Sequence, residues 1–358
     1  MRKLLTGLIL LLLVGSFMIG CEREVTETII VNSTDESNCF SCHNDQAFGL
    51  DFAAIQEEYT YSIHGSGDNT DRNSGSCNGC HTSQGFVARV DGLEVSGEHY
   101  SSIDCFTCHA PHSNGTFGVR VTDAVTLNDG TVFDRGTANL CVSCHMSRRD
   151  VSEYVVDSVK TSGHWGPHHG NQGDMLIGTN AYEFAGFTYS VSAHSTVAQN
   201  GCIDCHMSPP AHSSIGGHSW NMVNEDSGDE NLTGCNVLAC HSLNPMSDLD
   251  QVAQGDFDWD GTTEGVQSEI HGLLDSLLVH LVAAGLADTA GHAISQTIAS
   301  SDSAGALYNF IFVEEDRSFG VHNTDYTVAL LRSAINYLNS GDPNGVASKN
   351  TNVVASHK

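Results

Sequence analysis

Twelve of the chain's 13 cysteines fall into six pairs, and a histidine follows the second cysteine of each pair. Five pairs read Cys-x-x-Cys-His: Cys39, Cys42 and His43; Cys77, Cys80 and His81; Cys105, Cys108 and His109; Cys141, Cys144 and His145; Cys202, Cys205 and His206. The sixth is stretched, running Cys235-Asn-Val-Leu-Ala-Cys240-His241. Two thiols three positions apart span the two vinyl groups of one haem and form thioethers with them. The adjacent imidazole then meets the iron as its proximal ligand. A zinc ribbon needs two cysteine pairs to converge and gives no reason for a histidine after each. A redox dithiol occurs once, beside a βαβ pattern that this chain lacks. Disulfides suit an exported protein but leave the six histidines unexplained. The stretched pair alone also suits a disulfide. The arithmetic implies six covalently bound haem c groups.

A low-spin haem iron takes a second axial ligand, and the chain has 20 histidines to supply it. Six positions stand out. His64 lies in Tyr-Ser-Ile-His-Gly, where Gly65 lets a macrocycle approach the backbone. His112 follows the third motif in Cys-His-Ala-Pro-His, on a short turn. His168 and His169 adjoin in Gly-Pro-His-His-Gly, and one of them is the ligand. His194 precedes the fifth motif, His218 follows two glycines, and His322 stands ahead of a helix. His99, His164, His212, His271, His280, His292 and His357 rank below these. Met146 and Met207 directly follow proximal histidines and face away from their own irons. The sequence does not say which distal histidine serves which haem.

Three stretches carry a family resemblance: Cys202-Ile-Asp-Cys205-His206-Met207 running on to Gly216-Gly217-His218; Gly166-Pro167-His168-His169-Gly170 followed by Gln172 and Asp174-Met175-Leu176; and Gly320-Val321-His322-Asn323 leading to Tyr326 and Leu330-Leu331. They resemble the multihaem cytochromes related to the pentahaem nitrite reductases and their electron-donor partners, over about Cys39 to Ser340. The resemblance implies that His218 and His322 are distal ligands and that His168 is preferred over His169. Those reductases commonly carry a Cys-x-x-Cys-Lys haem whose other iron face is open to substrate. No such motif occurs here, which favours an electron carrier over an enzyme. A multihaem oxidoreductase acting on a small nitrogen or sulfur species at one open haem is the alternative, and a conducting filament is a third.

The elements that position these groups divide at the last motif. Residues 39–241 hold every haem motif, and the linking chain is rich in Gly, Ser and Asn, so loops and short helices wrapped on haem are expected. Residues 242–358 lack cysteine. Val266, Ile270, Leu273, Leu274, Leu277, Leu278 and Leu281 recur at helical spacing, with Gly285 to end the helix. Ala304–Val313 and Tyr326–Leu338 also read as helices, the latter capped by Asn323 or Thr324. The expected fold is mostly α with extensive loops, a multihaem cytochrome c fold organised around covalent haems with a helical C-terminal cap that brings in His322. Asp256-x-Asp258-x-Asp260-Gly261 resembles the opening of a calcium loop, with Gln267 at the twelfth position. The same residues suit an ordinary acidic turn.

Residues 1–20 read as a lipoprotein signal peptide: Arg2 and Lys3, an apolar run from Leu4, then Met18-Ile19-Gly20 before Cys21, the lipidation site. Residues 21–38 form a polar tether. The body is then exported and held at the membrane by lipid, on the periplasmic or the cell-surface side of the outer membrane. Its 43 acidic against 14 basic residues give a net charge of −29. Such a surface repels nucleic acid and suits redox partners such as other cytochromes or a quinol-linked donor. Aromatic residues make up only 7% of the chain, so a bound group must fill the interior that side chains do not.

Overall fold

The structure, a computed structural model, describes residues 52–67, 70–95 and 99–345. The signal segment, the tether, Cys21, Cys39, Cys42, His43 and His357 lie outside the described residues. The longer helices early in the chain are α1, Phe52–Thr60, and α2, Ser83–Val90, with single turns Ile63–Ser66 and Asn78–His81 between them. Three long helices follow late in the chain: α3, Val266–Ala283; α4, Ser301–Asp316; and α5, Thr324–Ser340. Between α2 and α3 the helices are of four to six residues, and several carry the cysteine motifs. The strands are two residues long. Val125–Thr126 pairs antiparallel with Val132–Phe133, Val159–Lys160 with Thr297–Ile298, and Val223–Asn224 with Asp229–Glu230. Among the described residues no helix is long and apolar enough to cross a membrane.

The apolar periodicity read from the sequence forms one face of α3. Ile270, Leu273, Leu274, Leu277 and Leu281 are all fully buried. They pack with Leu307, Tyr308 and Phe312 of α4 and with Leu330, Leu331 and Ile335 of α5. Trp165, Met175 and Phe184 from the middle of the chain join the same cluster. Each fully buried side chain of this size contributes about 1.5–3 kcal/mol, so order in the molecule is anchored here. A Cβ on Gly305 would lie 2.1 Å from the ring of Tyr182, so glycine there lets the 182 loop close on α4. A smaller cluster gathers Leu127, Phe133, Ala138, Val142 and Leu176 beneath the fourth motif.

The helix ends aim the candidate ligands. Asn323 caps α5 by accepting from Tyr326 N, and the same side-chain oxygen accepts from Ser192 N at 2.8 Å. Its amide donates to Met175 O at 3.2 Å. One buried side chain therefore joins the start of α5, the loop before His194 and the Gln172–Ile177 helix. That positions His322, which precedes it in the chain, and the loop carrying His194, two residues after Ser192.

Candidate haem-binding sites

A Cys-x-x-Cys-His segment on a single helical turn puts both thiols and the imidazole on one face, because positions i, i+3 and i+4 are neighbours. The backbone is closed accordingly. His81 N donates to Cys77 O at 3.1 Å, His109 N to Cys105 O at 2.9 Å and His145 N to Cys141 O at 2.9 Å. Asp104 caps the third motif in a reciprocal pair with Thr107. The stretched motif restores this bond by another route. His241 N donates to Cys235 O at 3.0 Å, although two more residues intervene. The extra length bulges outward, leaving Leu238 89% exposed, so His241 keeps the same relation to its first cysteine as the other motif histidines. None of the ten described motif cysteines is in a disulfide. Burial, with neighbouring thiols and carboxylates adding to it, pushes Cys108 and Cys205 up to about 12.

Each described motif histidine faces one histidine from elsewhere in the chain. Ring centroids are 6.1 Å apart for His145 and His64, 6.2 Å for His81 and His168, and 6.3 Å for His109 and His218. They are 6.2 Å apart for His241 and His194, and 6.1 Å for His206 and His322. Edge-on contacts between free rings also fall in this range. Two imidazoles held on opposite faces of one metal ion do require it: a metal–nitrogen distance of about 2 Å on each side, with each ring centre about 1 Å further back, gives about 6 Å.

The outward ring nitrogens are taken in the way metal-bound imidazoles need. His109 Nδ1 donates to Phe117 O at 2.7 Å, His206 Nδ1 to Trp220 O at 2.8 Å and His194 Nδ1 to Val321 O at 2.6 Å. His145 Nδ1 donates to Gln172 Oε1 at 3.1 Å, and the orientation of that amide is fixed because Gln172 Nε2 donates to Glu315 O. His322 Nδ1 lies 2.7 Å from Asp316 Oδ1. His218 is braced by Glu58 of α1, whose Oε2 accepts from His218 N at 2.9 Å and lies 3.7 Å from Nδ1. A carbonyl can only accept, so each such contact puts the proton on Nδ1 and leaves the Nε2 lone pair for a metal.

The electrostatics also keep most of these rings neutral, the form that ligates. Burial, then the neighbouring His145, lowers His64 to about 4. Burial, then Arg148, lowers His168 to about 4. Burial likewise lowers His81, His145, His206 and His218. His322 differs: burial opposes its charge, but the Asp316 carboxylate outweighs burial and the net shift is upward.

Of the adjacent pair, His168 faces His81, while His169 turns to Glu315. His112 is exposed on the turn Pro111–Asn114, its ring 6.1 Å from that of Phe106. His212 is held by Ser214 and Asp229, His292 by Asp288, and His271 lies on the ring of Phe319. A Cβ on Gly65 would lie 2.3 Å from Tyr59 O, so glycine there admits the α1 backbone. Motifs also neighbour one another through their thiols, Cys80 with Cys144 and Cys141 with Cys202. Arg89 adds to the first contact by donating to Ser143 O at 2.8 Å.

The acidic loop stands apart. Asp256, Asp258 and Asp260 offer carboxylate oxygens within 4.8 Å of one another. Backbone amides of Asp260, Gly261 and Thr262 already bond to them. Burial, then the surrounding carboxylates, pushes Asp258 up to about 6. Gln267 at the twelfth position turns to Ser318 O, and the buried Glu269 accepts from Phe257, Asp258 and Glu264 N. Three carboxylates converge without the bidentate twelfth ligand of a calcium loop.

No protein-family model matches the chain. A C-type polyheme cytochrome of Geobacter sulfurreducens, OmcC, is 26% identical over 178 residues, covering 46% of this chain and 21% of that protein. The chain thus spans about a fifth of the length of that curated relative. Among solved structures, the outer cell wall cytochrome OcwA aligns with a TM-score of 0.49 and 23% identity, covering 78% of this chain and 49% of that one. The match to the polyheme cytochrome supports a likeness to multihaem c-type cytochromes, and the nitrite-reductase part of the expected resemblance has no counterpart in it.

Proposed function

We propose that the chain is an electron-transfer multihaem c-type cytochrome that binds six haems, each iron held between two histidines. The observation that supports this reading is the one-to-one matching of five motif histidines with five of the six distal candidates at metal-bridging distance. Haem supplies a one-electron couple when bound, and its potential is set by axial ligand, hydrogen bonding and burial. The protein's own part is to fix both imidazoles, through the Nδ1 contacts of His109, His145, His194, His206 and His322, and to bring neighbouring motifs to thiol contact. With both axial positions filled, no iron offers a place for substrate, which favours a carrier over an oxidoreductase. The oxidised protein is expected to be entirely low-spin and the reduced protein to bind carbon monoxide at less than about one site in ten irons. A high-spin haem that binds and turns over nitrite or hydroxylamine would favour the enzyme.

The strongly acidic surface suits partners that present a basic face, and the redox partners proposed are other cytochromes or a quinol-linked donor. We place the protein outside the cytoplasm, held at the membrane through lipid on Cys21. Cys21→Ala should move the protein from the membrane to the soluble fraction, read by fractionation after a salt wash. A variant that stays with the membrane would rule out lipid on Cys21 as the anchor.

A further inference from the structure

One aromatic residue touches an imidazole from each of three histidine pairs. The ring of Trp220 lies 5.0 Å from that of His64 and 5.6 Å from that of His218. Its carbonyl accepts from His206 Nδ1 at 2.8 Å. His64 faces His145, His218 faces His109 and His206 faces His322. The residue reaches all three because its backbone is left-handed, with φ at +55°, a conformation that a bulky side chain adopts only when its surroundings impose it. The preceding turn, Gly217–Ser219, and a bond from Asn221 Nδ2 to Tyr61 O at 3.0 Å hold it there. Tyr59 of α1 closes the cluster edge-on, 6.3 Å away.

We propose that Trp220 is a positioning residue shared by three haem sites: its ring sets the orientation of His64 and His218, and its carbonyl sets that of His206. The proposal rests on the bis-histidine reading above. The angle between two axial imidazoles governs the splitting of the iron d orbitals. Turning one ring therefore changes the low-spin resonance of that haem and shifts its potential. Ring and carbonyl roles separate cleanly, because glycine adopts the left-handed backbone freely and so keeps the carbonyl while losing the ring.

The test uses full-length holoprotein. Electron paramagnetic resonance signals are assigned by comparison with His64→Met and His218→Met, and haem content is measured alongside. In W220G, the signals and potentials of the His64 and His218 haems should both move, while that of the His206 haem stays at the wild-type position. W220F, which restores an aromatic ring, should return the two signals towards wild type. A tryptophan that only fills space would lower the melting temperature of W220G and leave every signal and potential unchanged, and that result overturns the proposal. Should W220G load fewer haems, W220L takes its place, since leucine carries the same backbone cost as tryptophan. Shifted His64 and His218 signals in W220L then support the proposal, and unchanged ones overturn it. A wild type without covalent haem, or with irons lacking two histidines, would defeat the underlying reading and this inference with it, whereas unchanged signals in a bis-histidine protein overturn this inference alone.

Discussion

His322→Ala is expected to turn one haem from low-spin to high-spin and to create a carbon monoxide site that the wild-type protein lacks. His322 faces His206 at 6.1 Å and is aimed by Asp316, which is itself buried. Alanine removes the imidazole and leaves a pocket no other described histidine is placed to fill. The buried Asp316 carboxylate loses the hydrogen bond from His322 Nδ1 as well and keeps only those from Ser318, a loss that costs about 1.5–3 kcal/mol. Two effects should therefore appear together: carbon monoxide binding to about one iron in six, and a lower melting temperature. His322→Met, which keeps a ligand atom, should hold the iron low-spin and raise its potential. If His322→Ala remained low-spin and closed to carbon monoxide, the pairing with His206 would be wrong.

A chain made without haem attachment should lose order unevenly. Among the described residues, 52–120 contribute only Phe86, Ala88 and Ala110 to the buried apolar set, and α1 buries none of its residues. The side chains there cannot supply the burial that ordering the backbone requires. The region around α3 to α5 has its own apolar cluster, which includes Trp165 and Met175. In limited proteolysis read by mass spectrometry, the haem-free chain should be cut within residues 52–120 at least about tenfold faster than within α3 to α5. The haem-loaded protein should resist in both regions. Equal protection of residues 52–120 with and without haem would mean that haem does not replace the missing core.

The parts of this molecule that follow local rules were readable in the sequence. The spacing from Val266 to Leu281 requires one buried helical face, and α3 has it. Asn323 was one of two possible caps, and the structure decides for it because its amide has carbonyls of Met175 and Leu176 within reach. The thiol and imidazole geometry of each motif is a property of one helical turn. Pairing was not readable, because each pair joins segments far apart in the chain, and only the route of the loops between them sets which rings meet. The supports of the ligands were equally hidden. Phe117, Val321 and Trp220 act through backbone carbonyls, which no residue type advertises. Asp174 is similar: fully buried, it accepts from Ser147 N at 2.7 Å and from Asn180 Nδ2 at 2.9 Å, tying the end of the fourth motif to the helix below.

Whether six cysteine pairs hold six haems is decided by the mass of the purified intact protein together with haem quantitation as the pyridine haemochrome. Six covalently attached haems per chain are expected, none of them lost on acid–acetone extraction. Five would place the stretched Cys235 and Cys240 motif outside the set, despite the bond from His241 N to Cys235 O that it shares with the others. Two or fewer would mean that the cysteine pairs are not haem sites and that the paired histidines serve some other purpose.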